Sequence, residues 1–437
     1  MARANPAPKG PLPTVRIGVV GHGVVGSAFT ALVARQRDII ASRTGVQLDV
    51  TRVAVGDASK HPTRIGTAEV VTDALAVANA SDVDLVVEVM GGTTLAGEVI
   101  RAALESGKPV VTANKALLAA QSGELFKIAD ERGIDLLFEA AVCGGIPLIR
   151  PLRESLRGEP IRRVLGIVNG TTNYILTKMT ETGADYSDAL REAQQLGYAE
   201  ADPTADVEGL DAAAKIAIVA NFAFGVHVVA DDVVAEGISR ISASDIAMAQ
   251  KFGYVIKLLG VAERDSNTGA VSVRVHPAMV GVKHPLAAVR EAFNAVLVEG
   301  DASGSLMFYG RGAGGDPTAS SVLGDVIDAA VNLRKGTHAT LGTFSQATFT
   351  PPGDVVSEFM LTLEVADKPG VLHAVTGVFA RNKVSIRAAE QDGIGRDARL
   401  VFVTHDARTS DVAACLGEFQ RLDVVSKVGG VIRIIGE

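Results

Sequence analysis

The sequence predicts an α/β protein: a doubly wound parallel sheet, then an α+β domain, then a C-terminal ferredoxin-like unit. Three observations predict it. Short apolar runs alternate with helical stretches from Thr14 onward, the mark of β-α-β winding. From Pro151 the pattern is less regular and richer in helix. After Pro351-Pro352-Gly353 the order is β-α-β-β-α-β, a split βαβ unit.

Each element follows from local composition. Residues 1–13 hold four prolines and little that could pack, so a flexible tail is expected there. Val15-Arg16-Ile17-Gly18-Val19-Val20 is a short apolar run ending in glycines, which suits a buried parallel strand. Further strands are expected at 50–55, 85–90, 109–113 and 136–140, with helices at 97–106 and 116–132. Together they form a first domain, 14–150. Strands near 161–169 and 271–275 belong to a second domain, 151–320. A helix at 321–333 opens a segment, 321–345, expected to pack back on the first domain. A linker at 346–356 leads to the last domain, 357–437. Its strands are expected at 358–365, 384–390, 398–404 and 424–435, and its helices at 371–381 and 411–422.

Composition narrows the function. The chain has 437 residues, 47% hydrophobic and 21% charged, ample for several cores. No run approaches the roughly 20 apolar residues of a membrane helix, and the N-terminus lacks a signal-peptide layout. Two cysteines, Cys143 and Cys415, make neither a disulfide framework nor a zinc spacing. A net charge of -8 with 4% aromatic residues argues against a nucleic-acid partner. A cytoplasmic enzyme is expected.

Gly21-His22-Gly23-Val24-Val25-Gly26 follows the first strand directly and opens a helix. Gly21 permits the tight turn, Gly23 lets backbone approach a pyrophosphate, and Gly26 lets helix lie close on strand. The N–H groups at the helix start then face the anion. A dinucleotide site is expected here; the alternative is a tight turn without a ligand. Asp57, after the second strand, could accept from the 2′-hydroxyl of NAD. It lies further from Gly26 than the usual ~20 residues, which requires a longer helix between them. Lys60 and Arg64 could instead pair with the 2′-phosphate of NADP, and the sequence leaves that choice open.

The most informative stretch runs from Gly197 through Lys215 into an apolar helix, residues 216–224. A helix apolar on nearly all sides is buried, and lysine is rarely buried unless paired. Asp211 and Lys215 are spaced i, i+4 and share a face. A buried, paired ammonium is a candidate proton donor. The alternative is an exposed lysine at a helix start, with Asp211 a partner of the helix dipole.

This stretch resembles the homoserine dehydrogenase signature: glycine-aromatic-x-Glu-x-Asp-Pro, then Asp, Gly-x-Asp, and Lys four residues later. Thr112-Ala113-Asn114-Lys115, residues 139–147, Asn169-Gly170-Thr171-Thr172-Asn173 and Tyr309-Gly310-Arg311-Gly312-Ala313-Gly314 agree with it. The resemblance covers residues 14–353. The remainder resembles an ACT domain through Val365-Ala366-Asp367-Lys368-Pro369-Gly370-Val371-Leu372.

The resemblance implies a Rossmann-like first domain and NAD(P)H-dependent interconversion of L-aspartate 4-semialdehyde and L-homoserine, on the branch toward threonine, methionine and isoleucine. It makes Lys215 the acid/base, with Lys115 and Asp211 in the catalytic set. Glu200, Asp211 and Asp206 would hold the amino-acid substrate, Glu200 taking its ammonium group. Gly91, Gly92 and Thr93 would line the nicotinamide side, with Lys115, Gly312 and Gly314. A monovalent cation, sodium by analogy, would rest on carbonyl oxygens of Val142, Gly144 and Ile146 with Glu139 nearby. In the ACT-like unit, Asp367, Pro369 and Gly370 would receive an effector, L-threonine by analogy. The alternative there is a dimerisation module without a ligand. A homodimer or homotetramer is expected, with no nucleic acid and no membrane as partner.

Overall fold

The computed structural model describes residues 12–393 and 398–436. The tail expected at 1–13 lies almost entirely outside the described residues. The chain divides into two compact units. One comprises Met1–Gly158, Ala217–Ala230 and Phe308–Ser345; the other comprises Glu159–Ile216, Asp231–Met307 and Gln346–Glu437.

The first unit is built on a seven-stranded sheet. Its order is Arg64–Ile65, Ala68–Val71, Gln47–Ala54, Thr14–Val20, Leu85–Glu88, Val110–Thr112, Leu136–Leu137. All neighbours are parallel except the edge hairpin Arg64–Ile65 with Ala68–Val71. The winding reverses between Thr14–Val20 and Leu85–Glu88, and ligands of such sheets bind at the carboxyl ends of strands at that point. Burial on both faces explains the unbroken apolar runs: Val15, Ile17, Val19, Leu85, Val86 and Val87 are all fully buried. The helices Val24–Thr44 and Gly315–Lys335 cover one face through Phe29, Val33, Val322 and Val326.

One detail meets the expectation and two depart from it. The 21-residue helix Val24–Thr44 fills the long interval between Gly26 and Asp57. The last helix begins at Gly315 rather than 321, because Pro317 sits in its first turn, where a missing N–H costs nothing. The strand expected at 136–140 stops at Leu137. There the Glu139 N–H donates to the buried Asp325 carboxylate (2.7 Å) instead of to a sheet neighbour, and the chain turns into the short helix Glu139–Ala141.

The second unit contains a long mixed sheet. Within this unit its path is Phe293–Gly300, Ile161–Ile167, Tyr254–Arg264, Val271–Gly281, Val425–Ile435, Val356–Val365, Arg399–Thr404, Ile386–Asp392. The helices Gly170–Thr182, Tyr186–Gln195 and Ala243–Lys251 accompany it, with residues 210–216 of the helix Leu210–Phe224. Gly260 gives up its side chain to the helix Leu210–Phe224, since a Cβ there would sit 3.1 Å from Ile216 Cβ.

The last four strands in this path and the helices Val371–Arg381 and Thr409–Phe419 form the expected ferredoxin-like unit. Its core holds Phe359, Leu361, Val375, Phe379, Phe402 and Phe419. Its final strand lies parallel to Val271–Gly281, with Ala278 opposite Arg433, Met279 opposite Ile434 and Val280 opposite Ile435. Before it, Val271 N–H donates to Thr348 O (2.8 Å) and Thr350 N–H to Val271 O (2.9 Å). Among the described residues no helix is long and apolar enough to cross a membrane.

Candidate active site

In the first unit, three glycines do three different things. Gly21 has φ 98° and no room for a side chain: a Cβ would lie 2.7 Å from Met90 backbone. At Gly26 a Cβ would lie 2.1 Å from the Gly21 carbonyl oxygen. Gly23 is the opposite case, since nothing stands within 4 Å of its Cβ position. It caps the helix Val24–Thr44, whose first turn carries no acidic residue. An open approach to a helix N-terminus without an acidic residue suits a phosphate group. Val24 is exposed and Val25 packs against the core. His22 bonds Thr30 Oγ1 (3.1 Å) and meets His61 edge-on, and burial, then His61, lowers its pKa.

Asp57 caps a short turn, its Oδ1 accepting from Ser59 N–H (3.0 Å) and Oγ (2.6 Å). Those bonds hold its pKa below the usual carboxylate range. Lys60 pairs with its other oxygen at 3.4 Å. Arg64 donates to Thr67 O (3.0 Å).

The strand Leu85–Glu88 ends in a fully buried carboxylate. Glu88 accepts from Thr112 Oγ1 (2.6 Å) and Met90 N–H (2.9 Å), and burial raises its pKa. Gly91 and Gly92 follow with φ 80° and 75°, a left-handed pair that only glycine adopts without strain. Asn114 ties this turn to the next strand's end: its Nδ2 donates to Gly92 O (2.6 Å) and its Oδ1 accepts from Leu117 N–H (3.1 Å). Asn114 thereby caps Lys115–Arg132 and places half-buried Lys115 in its first turn. Thr93 occupies the cap position of Thr94–Glu105.

Residues 311–314 press on the turn around Gly144. Gly145 N–H donates to Arg311 O (3.1 Å), and a Cβ on Gly144 would sit 2.5 Å from Gly312 O. Gly314, φ 119°, opens the helix Gly315–Lys335. Cys143 and Gly144 are both left-handed, at φ 56° and 46°, which folds Val142–Ile146 tightly. The Glu139 carboxylate accepts the N–H groups of Leu148, Ile149 (2.7 Å) and Arg150 (2.8 Å). Among the described residues no cluster of His, Cys, Asp or Glu could hold a metal ion.

In the second unit, the acidic segment closes on one lysine. Lys215 Nζ donates to Asp211 Oδ2 (2.7 Å) and to Val168 O (2.7 Å), with 9% of each residue exposed. An exposed lysine at a helix start is therefore not what the fold contains. Ala212, Ala213 and Ile216 bury the rest of the turn. Asn169, buried beside Val168, donates to Asp206 Oδ1 (2.7 Å) and Asp211 Oδ2 (2.9 Å). Glu200 is exposed, and its carboxylate has no hydrogen bond or ion pair among the described residues. Asp202 only caps its own turn, accepting from Thr204.

In the C-terminal unit, Gly370 (φ 91°) caps Val371–Arg381, and nothing stands within 4 Å of its Cβ position. Pro369 beside it is exposed, and Asp367 lies 3.5 Å from Gln391 Nε2.

Residues 21–139 match the NAD binding domain of homoserine dehydrogenase, 147–327 the homoserine dehydrogenase family, and 359–424 the ACT domain. The homoserine dehydrogenase of Corynebacterium glutamicum is 48% identical over 434 residues, covering 98% of this chain and 97% of that protein. The chain belongs to the homoserine dehydrogenase family. Membership makes it an NAD(P)-dependent oxidoreductase. The crystal structure of a homoserine dehydrogenase from Thiobacillus denitrificans superposes with a TM-score of 0.91 at 37% identity, over 97% of this chain and 98% of that one. A hyperthermophilic archaeal homoserine dehydrogenase in complex with NADPH matches with a TM-score of 0.62 at 29% identity, over 73% of this chain and 98% of its own.

Sequence reasoning left two buried groups without a role in this homoserine dehydrogenase fold. Glu88 was hidden inside an apolar strand, and Asn169 inside a motif with no assigned chemistry. A carboxylate at the end of a buried strand, beside a Gly-Gly turn, was the available signal for the first.

Proposed function

We propose that the chain interconverts L-aspartate 4-semialdehyde and L-homoserine, with Lys215 protonating the carbonyl oxygen and, in reverse, accepting the hydroxyl proton. The observation that carries this reading is the buried Lys215 ammonium, held between Asp211 and the Val168 carbonyl. An aldehyde becoming an alkoxide gathers negative charge on oxygen, and a fixed ammonium sheltered from water stabilises it. Glu200, an accessible carboxylate without a partner among the described residues, would take the substrate ammonium, and Asp206 and Asp211 would support that pole.

A bound NAD(P)H would supply the hydride. Gly21, Gly23 and Gly26 would admit its pyrophosphate, Gly91, Gly92 and Thr93 would border its nicotinamide with Gly312 and Gly314, and Lys115 would reach it from the neighbouring strand end. Asp57 and Lys60, paired with each other, would meet its ribose. A monovalent cation would rest on the Val142, Gly144 and Ile146 carbonyls. The Glu139 side chain, engaged by three N–H groups, would contribute its charge alone. The open loop Asp367–Pro369–Gly370 would receive an amino-acid effector such as L-threonine. Exposed Met307 and Tyr309 on an edge strand suit assembly into a homodimer or homotetramer. Two buried cysteines held as thiols suit the cytoplasm.

Initial rates of homoserine-dependent reduction of NADP+ and NAD+, with and without L-threonine and with sodium or potassium, test the reading. Turnover with homoserine supports it. Absence of turnover with either nucleotide contradicts it.

A further inference from the structure

We propose that Asn169 is a positioning residue for Lys215: a clamp that fixes Asp206 and Asp211 and through them the ammonium. This rests on the reading of Lys215 as acid/base. An asparagine amide has two donor hydrogens and one acceptor oxygen, and all are in use here. Asn169 Oδ1 accepts from Thr172 N–H (2.9 Å) and Oγ1 (2.9 Å). Its Nδ2 donates to Asp206 Oδ1 (2.7 Å) and Asp211 Oδ2 (2.9 Å). The carboxylates belong to separate helices, Thr204–Val207 and Leu210–Phe224, and their like charges repel. The amide between them offsets that repulsion and holds both elements to one point.

Asp211 Oδ2 is shared, accepting from Asn169 and from Lys215 (2.7 Å). The preceding residue, Val168, accepts from the same ammonium. Two consecutive residues therefore address Lys215, one directly and one through Asp211. Thr171 Oγ1 donates to Tyr198 O (2.6 Å), so the same helix start also holds the beginning of the acidic segment.

The clamp stands on a firm base. Gly170 lies where a Cβ would be 2.7 Å from Ala292 O. Asn173 Nδ2 donates to Glu291 O (2.8 Å), and its Oδ1 accepts from buried Lys257 (3.0 Å). The pentapeptide 169–173 thus positions rather than reacts.

The competing role for Asn169 is simply the N-cap of Gly170–Thr182. Serine caps a helix as well as asparagine but is too short to bond both carboxylates. In the full-length enzyme, Asn169→Ser is expected to fold with a lowered melting temperature and keep its KM for the nucleotide while kcat falls about 10- to 100-fold, the scale of a catalytic group misplaced by about 1 Å. Asn169→Thr serves the same purpose should the serine variant not fold. Adding Asn169→Ser to Lys215→Ala is expected to cause no further loss, because both changes act through one group. Wild-type kcat in Asn169→Ser, or a full further loss in the double variant, overturns the clamp. Wild-type turnover in Lys215→Ala alone overturns the reading beneath it, so the two failures are distinguishable.

Discussion

Lys215 Nζ lies 2.7 Å from Asp211 Oδ2, with the two side chains only 11% and 8% exposed. Such a pair contributes little net stability when whole and leaves an uncompensated charge when broken. Asp211→Ala is therefore expected to destabilise the fold by about 3–5 kcal/mol, measured by urea unfolding. Asp211→Asn, which keeps shape and one acceptor, is expected to cost less.

Gly23→Ala and Gly26→Ala should separate binding from folding. The Gly26 side chain would have to enter the Gly21 carbonyl, so the variant is expected to lose about 1–3 kcal/mol of stability. The Gly23 side chain meets only open space, so that variant is expected to unfold like the wild type. Its KM for NAD(P)H is expected to rise at least about tenfold, because the methyl group would enter the space proposed for the pyrophosphate.

Glu88 secures the turn Gly91–Gly92 from beneath. Glu88→Ala orphans the buried Thr112 hydroxyl and the part-buried Met90 N–H and is expected to cost about 2 kcal/mol. Nucleotide KM is expected to rise with it, while Thr112→Val, which removes one of the bonds, is expected to do less. Titration calorimetry with NADP+ checks both.

Burial lowers the Lys257 pKa from its ordinary 10.5 to about 8. Between those values the unfolded chain holds a proton that the folded chain has released, so stability rises with pH across that window. The gain approaches about 3 kcal/mol, the equivalent of the shift. The wild type is expected to gain on Lys257→Met between pH 8 and 10.5 in equilibrium unfolding; parallel curves contradict it.

The readable features were those whose physics is local. A glycine triplet between strand and helix and a lysine one turn from an aspartate in an apolar helix both declare themselves within a few residues. Glu88, Asn169 and the end of the strand at Leu137 were not readable, because their partners are distant in sequence: Thr112, Asp206 with Asp211, and Asp325. The start of the helix Gly315–Lys335 was hidden for another reason. A Gly-Gly-Asp-Pro run reads as a turn until its proline is seen to fit the first helical turn.

Steady-state kinetics of Lys215→Ala with homoserine and NADP+ tests the central claim most directly. The expected result is a kcat lower by about 10²–10⁴, the share of a general acid, with nucleotide KM unchanged. A variant that turns over like the wild type contradicts the account.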